Sequence, residues 1–253
     1  MSGRARLRVR FSKVGKIRWT SHRDVARMWE RAFRRAQLPL AYSEGFSPRP
    51  RVSFGLALPT GHESVAEYLD VELAGSGGFD VYTLPDRLSE ALPAGVDAMA
   101  AGLIGSGEPS LQEDVFSCTW SLLAVAQEGT DPPGEGALAT RVAAVLQAPS
   151  VVVARSRNGV ETADDIRAGI LDLQLVGPAG PDPSDGMWLE ASLACRPRSI
   201  RPSEVLAALG PGLEERLARR THQWILRDGA RREPLCLAPA GATGAPHALG
   251  RAS

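Results

Sequence analysis

At 253 residues, with 43% apolar and 23% charged side chains, the chain has an ordinary globular composition and the length for two small domains or one medium one. No apolar run approaches the ~18 residues that span a bilayer, and no apolar stretch of a signal peptide follows the basic start, so the expectation is a cytoplasmic protein. The formal net charge of zero hides an asymmetry: residues 1–54 hold 14 Lys+Arg against 3 Asp+Glu, and the rest of the chain 15 against 26. Such a split implies an anionic partner for the basic part, or docking of one half on the other.

Residues 6–11 alternate strictly, which predicts a strand with Leu7, Val9 and Phe11 facing a core and Arg6, Arg8 and Arg10 facing away. Gly15 marks a turn. Ser21 and Asp24 have capping-box spacing and open a helix whose apolar stripe is Val25, Met28, Trp29, Ala32, Phe33 and Ala36. Arg23, Arg27, Arg31 and Arg34 fall on its opposite face, and Leu38-Pro39 is expected to end it. Strands are expected at 40–42, 51–58, 65–73 and 96–103, with a short helix at 84–92. This β-α-β-β-α-β order predicts a ferredoxin-like domain over residues 1–103.

Residues 104–114 read as a linker. The same order then recurs. Strands are predicted at 115–126, 151–155, 166–176, 187–194 and 221–226, and helices at 137–146 and 202–209. The expected fold class is α+β, two tandem ferredoxin-like (βαββαβ) domains, the second over residues 115–237. The Ala/Gly/Pro-rich stretch 238–253 reads as a disordered tail.

Cys118, Cys195 and Cys236 are far apart, and no pair has the spacing of a redox or metal motif, so neither a disulfide framework nor a metal ribbon is expected. His62, His222 and His247 have no metal-ligand spacing. The chain contains no phosphate-binding loop, no dinucleotide fingerprint and no nucleophile elbow, so no cofactor is implied.

Two residues are candidates for catalysis. His22 lies in the first turn of the predicted helix, on the margin of the apolar stripe, where a neutral imidazole would serve as a base. Its plainer role is a half-buried His bonded to a carbonyl. Glu67 shares parity with Val65, Leu69 and Val71, so it points to the helix-covered face and must find a cation. Arg18, Arg49, Arg51 and His22 are the expected partners, in an ion pair or a functional cluster. Tyr68, Asp70 and Glu72 take the opposite face, where Asp70 and Glu72 would pair with the arginines of the first strand.

The candidate phosphate- or RNA-binding residues are Lys13, Lys16, Arg18, Arg23, Arg27, Tyr42, Ser43, Arg49 and Arg51. The helix arginines form either a solvated face or, with Lys13, Lys16 and Arg18, a phosphate-binding stripe. In the loop 43–50, Gly45 permits unusual backbone angles, Pro48 and Pro50 stiffen the exit, and Arg49 and Arg51 have the spacing to clamp a phosphate.

The run Arg10-Phe11-Ser12-Lys13-Val14-Gly15-Lys16-Ile17-Arg18-Trp19-Thr20-Ser21-His22-Arg23-Asp24 resembles the opening signature of the radical-SAM-linked protein family. So do Ser43-Glu44-Gly45-Phe46-Ser47-Pro48-Arg49-Pro50-Arg51 and Glu67-Tyr68-Leu69-Asp70-Val71. The likeness is close over residues 5–100 and looser over 115–224. It implies as partner a radical-SAM protein with a B12-binding region, to which family members are fused or beside which they are encoded, and RNA-linked work. This chain lacks the closely spaced cysteines of a cluster motif, so the radical chemistry would be the partner's. The leading expectation is a non-catalytic accessory protein that binds tRNA or rRNA through its basic domain. The alternatives are a metal-independent endoribonuclease, similar to CRISPR-repeat endoribonucleases and using His22 with Arg18 or Arg49, and a protein-interaction module without nucleic acid.

Overall fold

The computed structural model describes residues 5–75, 78–105, 107–157 and 160–235. Cys236 and the stretch 238–253 lie outside them. The chain is a mixed α+β protein, mostly sheet with few helices. A nine-stranded sheet runs through it in the order β4-β1-β3-β10-β5-β9-β8, with β2 added to β3 and β11 to β10.

Strand β1 (Ala5–Lys13) puts Leu7, Val9 and Phe11 into one core and pairs antiparallel with β3 (Glu63–Leu73) and β4 (Ala98–Ile104). Helix α1 (His22–Arg35) begins at Ser21, whose hydroxyl accepts the Asp24 N–H at 3.3 Å. It buries Val25, Trp29, Ala32 and Phe33 over the sheet, with the Trp29 ring edge-on to Phe11 at 4.9 Å. Two bonds close its end, Gln37 N–H to the Arg34 carbonyl and Leu38 N–H to the Phe33 carbonyl. That is the Schellman arrangement, with Gln37 at φ +53° in the place glycine usually takes. The helix therefore stops before the expected Leu38-Pro39. Helix α2 (Leu84–Ser89) completes this core through Leu84 and Leu88.

Strand β2 is only Val52–Phe54, paired with Leu69–Val71 register positions of β3. The expected strand at 51–58 is cut short because the chain leaves the β3 edge after Gly55. The first residues of β3 pair instead with β10 (Leu213–Arg227), in parallel, Arg219 opposite Glu63 and Arg220 opposite Ser64. The expected strand at 40–42 is reduced to two isolated bridges, Leu40 to Leu73 and Tyr42 to Pro50.

After the helical turn α3 (Leu111–Asp114), β5 (Val115–Ala126) pairs with β10 and with β9 (Met187–Ala194), and β8 (Ile170–Pro178) closes that side. Helices α4 (Glu135–Gln147) and α5 (Pro202–Ala208) bury Leu138, Val142, Val205 and Leu206 against these strands. β6 (Val152–Arg157) and β7 (Val160–Asp165) form a separate two-stranded hairpin, where a single extended segment was expected. Strand β10 starts eight residues earlier than the predicted 221, because its first half is charged rather than alternating. Those charges find partners on β3 or just before it: Arg219 bonds Glu63, Arg220 bonds Glu67, and Glu215 accepts from His62. The short β11 (Ala230–Arg232) pairs with the end of β10.

Candidate functional site

The departure of residues 55–62 from the β3 edge makes two recesses, one on each side of that segment. The smaller is lined by Phe11, Lys13, His22, Phe54, Leu56 and Glu67. At about 20 Å³ it admits a single water-sized group. The larger, about 600 Å³, lies between residues 56–62 and the β5/β9 strands, with Trp120, Cys118, Cys195, Arg220 and the start of α5 in its wall.

A buried chain of polar groups connects them. Arg220 donates from Nε and Nη2 to one oxygen of Glu67, at 3.0 and 2.8 Å, and from Nη2 to the Leu56 carbonyl at 3.0 Å. Its guanidinium lies 5.3 Å from the Trp120 ring centre, and its Nη1 faces the Cys118 sulfur at 3.9 Å. Burial opposes the charge on Arg220, but Glu67 and Cys118 outweigh it and raise its pKa. Cys118 and Cys195 bring their sulfurs to 3.5 Å. A bond from the Cys195 thiol and the charge of Arg220 hold Cys118 below the usual thiol range despite its burial, while the same bond and burial push Cys195 up.

On the other side of Glu67, Lys13 is buried and donates to the carbonyls of Arg18 at 3.2 Å and Thr20 at 2.9 Å. Burial lowers its pKa, and nearby Glu67 partly offsets this. Glu63 lies a few residues away on β3. It takes Arg219 at 2.6 and 2.9 Å, the Gly15 N–H at 2.8 Å and Arg18 at 3.4 Å. Burial pushes that carboxyl up, but these partners hold it below its ordinary range.

The structure brings His22 and Glu67 to the same small recess. His22 is exposed and sets its ring against Phe54 at 4.9 Å, and the cation on Glu67 is Arg220 rather than any of the four expected partners. Arg18 turns to Glu63, and Arg51 lies 3.5 Å from Glu72. The face carrying Arg6, Arg8 and Arg10 is covered. Arg8 is 1% exposed, bonded to both oxygens of Asp70 and to the Pro234 carbonyl, and Arg10 reaches Glu233. Ser43 closes its own loop by accepting the Arg49 N–H at 3.0 Å, which leaves the Arg49 side chain and Tyr42 exposed. Along α1, Arg23, Arg27, Arg31, Arg34 and Arg35 are exposed. Arg27 pairs with Asp24 at 3.3 Å, and the other four form no ion pair among the described residues. Lys16 is likewise exposed.

Arg220 and the cysteine pair were not visible as a site in the sequence. The predicted final strand began at 221, one residue after Arg220, and 77 residues separate the two cysteines. Only the register of β5, β9 and β10 joins them.

A family model described as an uncharacterized protein conserved in bacteria, DUF2344, matches residues 6–202. The chain belongs to this family. The match begins in β1, spans Glu63, Glu67, Cys118 and Cys195, and ends at the first residue of α5, before β10. Comparison with curated proteins gives no match.

Proposed function

We propose that the chain is a non-catalytic accessory protein that binds RNA, a tRNA or rRNA, through the outer face of α1 and serves a radical-SAM partner enzyme in the cytoplasm. One observation carries the reading: Arg23, Arg31, Arg34 and Arg35 stand exposed along one helix with no carboxylate partner among the described residues. A row of free guanidiniums is suited to phosphates, which they bind as planar forks. Lys16 beside the helix start and Arg49 in the 43–50 loop extend the exposed cations, and the exposed rings of Trp19 and Phe46 offer stacking surfaces for unpaired bases.

Each half of the sheet has its strands in the order fourth, first, third, second, which supports reading the chain as two ferredoxin-like units over residues 1–103 and 115–237. RNA-recognition modules of that shape bind on the open sheet face. Here Leu111 and Leu235 pack with Tyr68 on that face, so the helix side is the one left for RNA. The alternative of an endoribonuclease with His22 as base draws less support. Its neighbours Glu67 and Lys13 are both committed, to Arg220 and to two backbone carbonyls.

Filter binding of the full chain to total cellular RNA tests this. Retention should fall steeply with salt, with a log–log slope of roughly −0.7 for each phosphate neutralised on a single strand. Charge reversal at Arg23, Arg31, Arg34 and Arg35 should flatten the slope and abolish retention. Retention that ignores both salt and the four reversals would overturn the reading. For the partner, co-purification of a radical-SAM protein that survives nuclease treatment is expected.

A further inference from the structure

Cys118 and Cys195 are on neighbouring strands but not opposite each other. Cys118 stands across from Leu193, and Cys195 lies two residues beyond, where its N–H donates to the Phe116 carbonyl. Equal parity puts both side chains on the same face of the sheet as Trp120. Their sulfurs are 3.5 Å apart, and both line the cleft of about 600 Å³. Cys118 is buried and Cys195 half-buried, so the pair is reached from the cleft.

The two thiols are not equivalent. The Cys118 sulfur faces the fixed charge of Arg220 at 3.9 Å, and the contact between the two thiols lowers the pKa of Cys118 while raising that of Cys195. An activated sulfur beside a protonated one is the pairing of a nucleophile with a resolving thiol.

We propose that Cys118 and Cys195 form a reversible redox dithiol, oxidised to an intramolecular disulfide by a hydroperoxide small enough to enter the cleft. The Cys118 thiolate attacks the terminal peroxide oxygen and the O–O bond breaks; the hydroxide or alkoxide that leaves takes up the proton released to solvent when the Cys118 thiol ionised. Cys118 is then a sulfenic acid. The Cys195 sulfur attacks it, the S–S bond forms, and the sulfenic oxygen leaves with the Cys195 proton as water. The peroxide gains two electrons and the two sulfurs lose them. Low-molecular-weight thiols reopen the bridge by two exchange steps, themselves becoming a disulfide. Closure requires the sulfurs to approach from 3.5 Å to the ~2.05 Å of a bond, a shift that side-chain rotation and small backbone motion supply. It also removes the ionisable thiol facing Arg220, leaving Glu67 as the partner of that guanidinium.

The test uses the full chain carrying Cys236→Ser, so that only this pair can link. Circular dichroism first establishes that each variant is folded. The reduced protein is exposed to hydrogen peroxide, remaining thiols are blocked with iodoacetamide, and intact mass and peptide maps are recorded. Expected are a loss of about 2 Da, protection of both cysteines from alkylation, a peptide linking Cys118 to Cys195, and full reversal by dithiothreitol. With Cys195→Ser added, dimedone should trap a sulfenic acid at Cys118. With Cys118→Ser instead, Cys195 should stay alkylatable. Separate oxidation of the two sulfurs without a link would overturn the proposal, as would a link between chains only or thiols unchanged by peroxide. A dimedone adduct on Cys195 in place of Cys118 would overturn the assignment of the nucleophile.

Discussion

The arginines of α1 and those of β10 share a chemistry and meet opposite fates. Arg23, Arg31, Arg34 and Arg35 project from a helix that buries its other face, and they form no ion pair among the described residues. Arg219 and Arg220 sit where β10 joins β3, and each is bonded by a glutamate of β3. Arg220 is 2% exposed, and Glu67 opposite offsets the cost of burying its charge. The lesson is that an arginine-rich segment is not by itself a binding surface. Arg6, Arg8 and Arg10 belong to the same basic stretch as α1, yet Asp70, Glu233 and the chain around Pro234 consume them.

The contrast is open to direct attack at its strongest point. Glu67→Gln leaves the buried Arg220 without a counter-charge and should cost about 3–5 kcal/mol, read as a lower midpoint in urea unfolding. Replacing both by apolar residues of similar size, Glu67→Leu with Arg220→Met, should recover most of that loss.

Next in size is acid sensitivity. Glu63 has a folded-state pKa below its ordinary value of 4.5. Its ionised form is therefore favoured by folding, so its contribution is complete above that value and is lost as pH falls through the folded one. Stability should drop on the acid side below 4.5, and Glu63→Gln should be less stable at neutral pH with a flatter acid profile. An unchanged profile would show that Arg219, Arg18 and Gly15 do not hold this carboxylate in solution.

Two smaller effects concern α1 itself. Ser21→Ala removes the oxygen that accepts the Asp24 N–H and should cost about 1 kcal/mol. Gln37→Gly relieves a left-handed backbone position and should stabilise by roughly 0.5–1 kcal/mol. Smallest of all, each single reversal among the four free arginines should change stability by about 0.5 kcal/mol, with Arg34 and Arg35 at the larger end because they lie in the last turn of α1. That near-silence is what separates the helix face from the β10 junction.

How far the sequence was legible follows the range of the interactions. The β1 alternation, the Ser21 cap and the Val25-Trp29-Ala32-Phe33 stripe are local, and each lies where its pattern predicts. The opposition of Arg8 and Asp70 followed from two neighbouring strands. The partner of Glu67 did not, because 153 residues separate it from Arg220 and the first half of β10 shows no apolar alternation. Its ladder is held by ion pairs that become visible only in register. The same holds for the cysteines, whose spacing carries no motif and whose meeting depends on the β5–β9 pairing. Gly55 gave no hint that the chain leaves β3 there, although its place against the Tyr68 carbonyl and Leu111 shows why a larger residue would be crowded.

Two quantities measured on two variants, the urea midpoint and retention of cellular RNA, separate the helix face from the β10 junction most directly. The chain with Arg23, Arg31, Arg34 and Arg35 reversed to glutamate should keep most of the wild-type midpoint and lose RNA. The Glu67→Gln chain should lose much of its midpoint and, where still folded, keep RNA. RNA retained by the fourfold reversal, or a wild-type midpoint in Glu67→Gln, would contradict that separation.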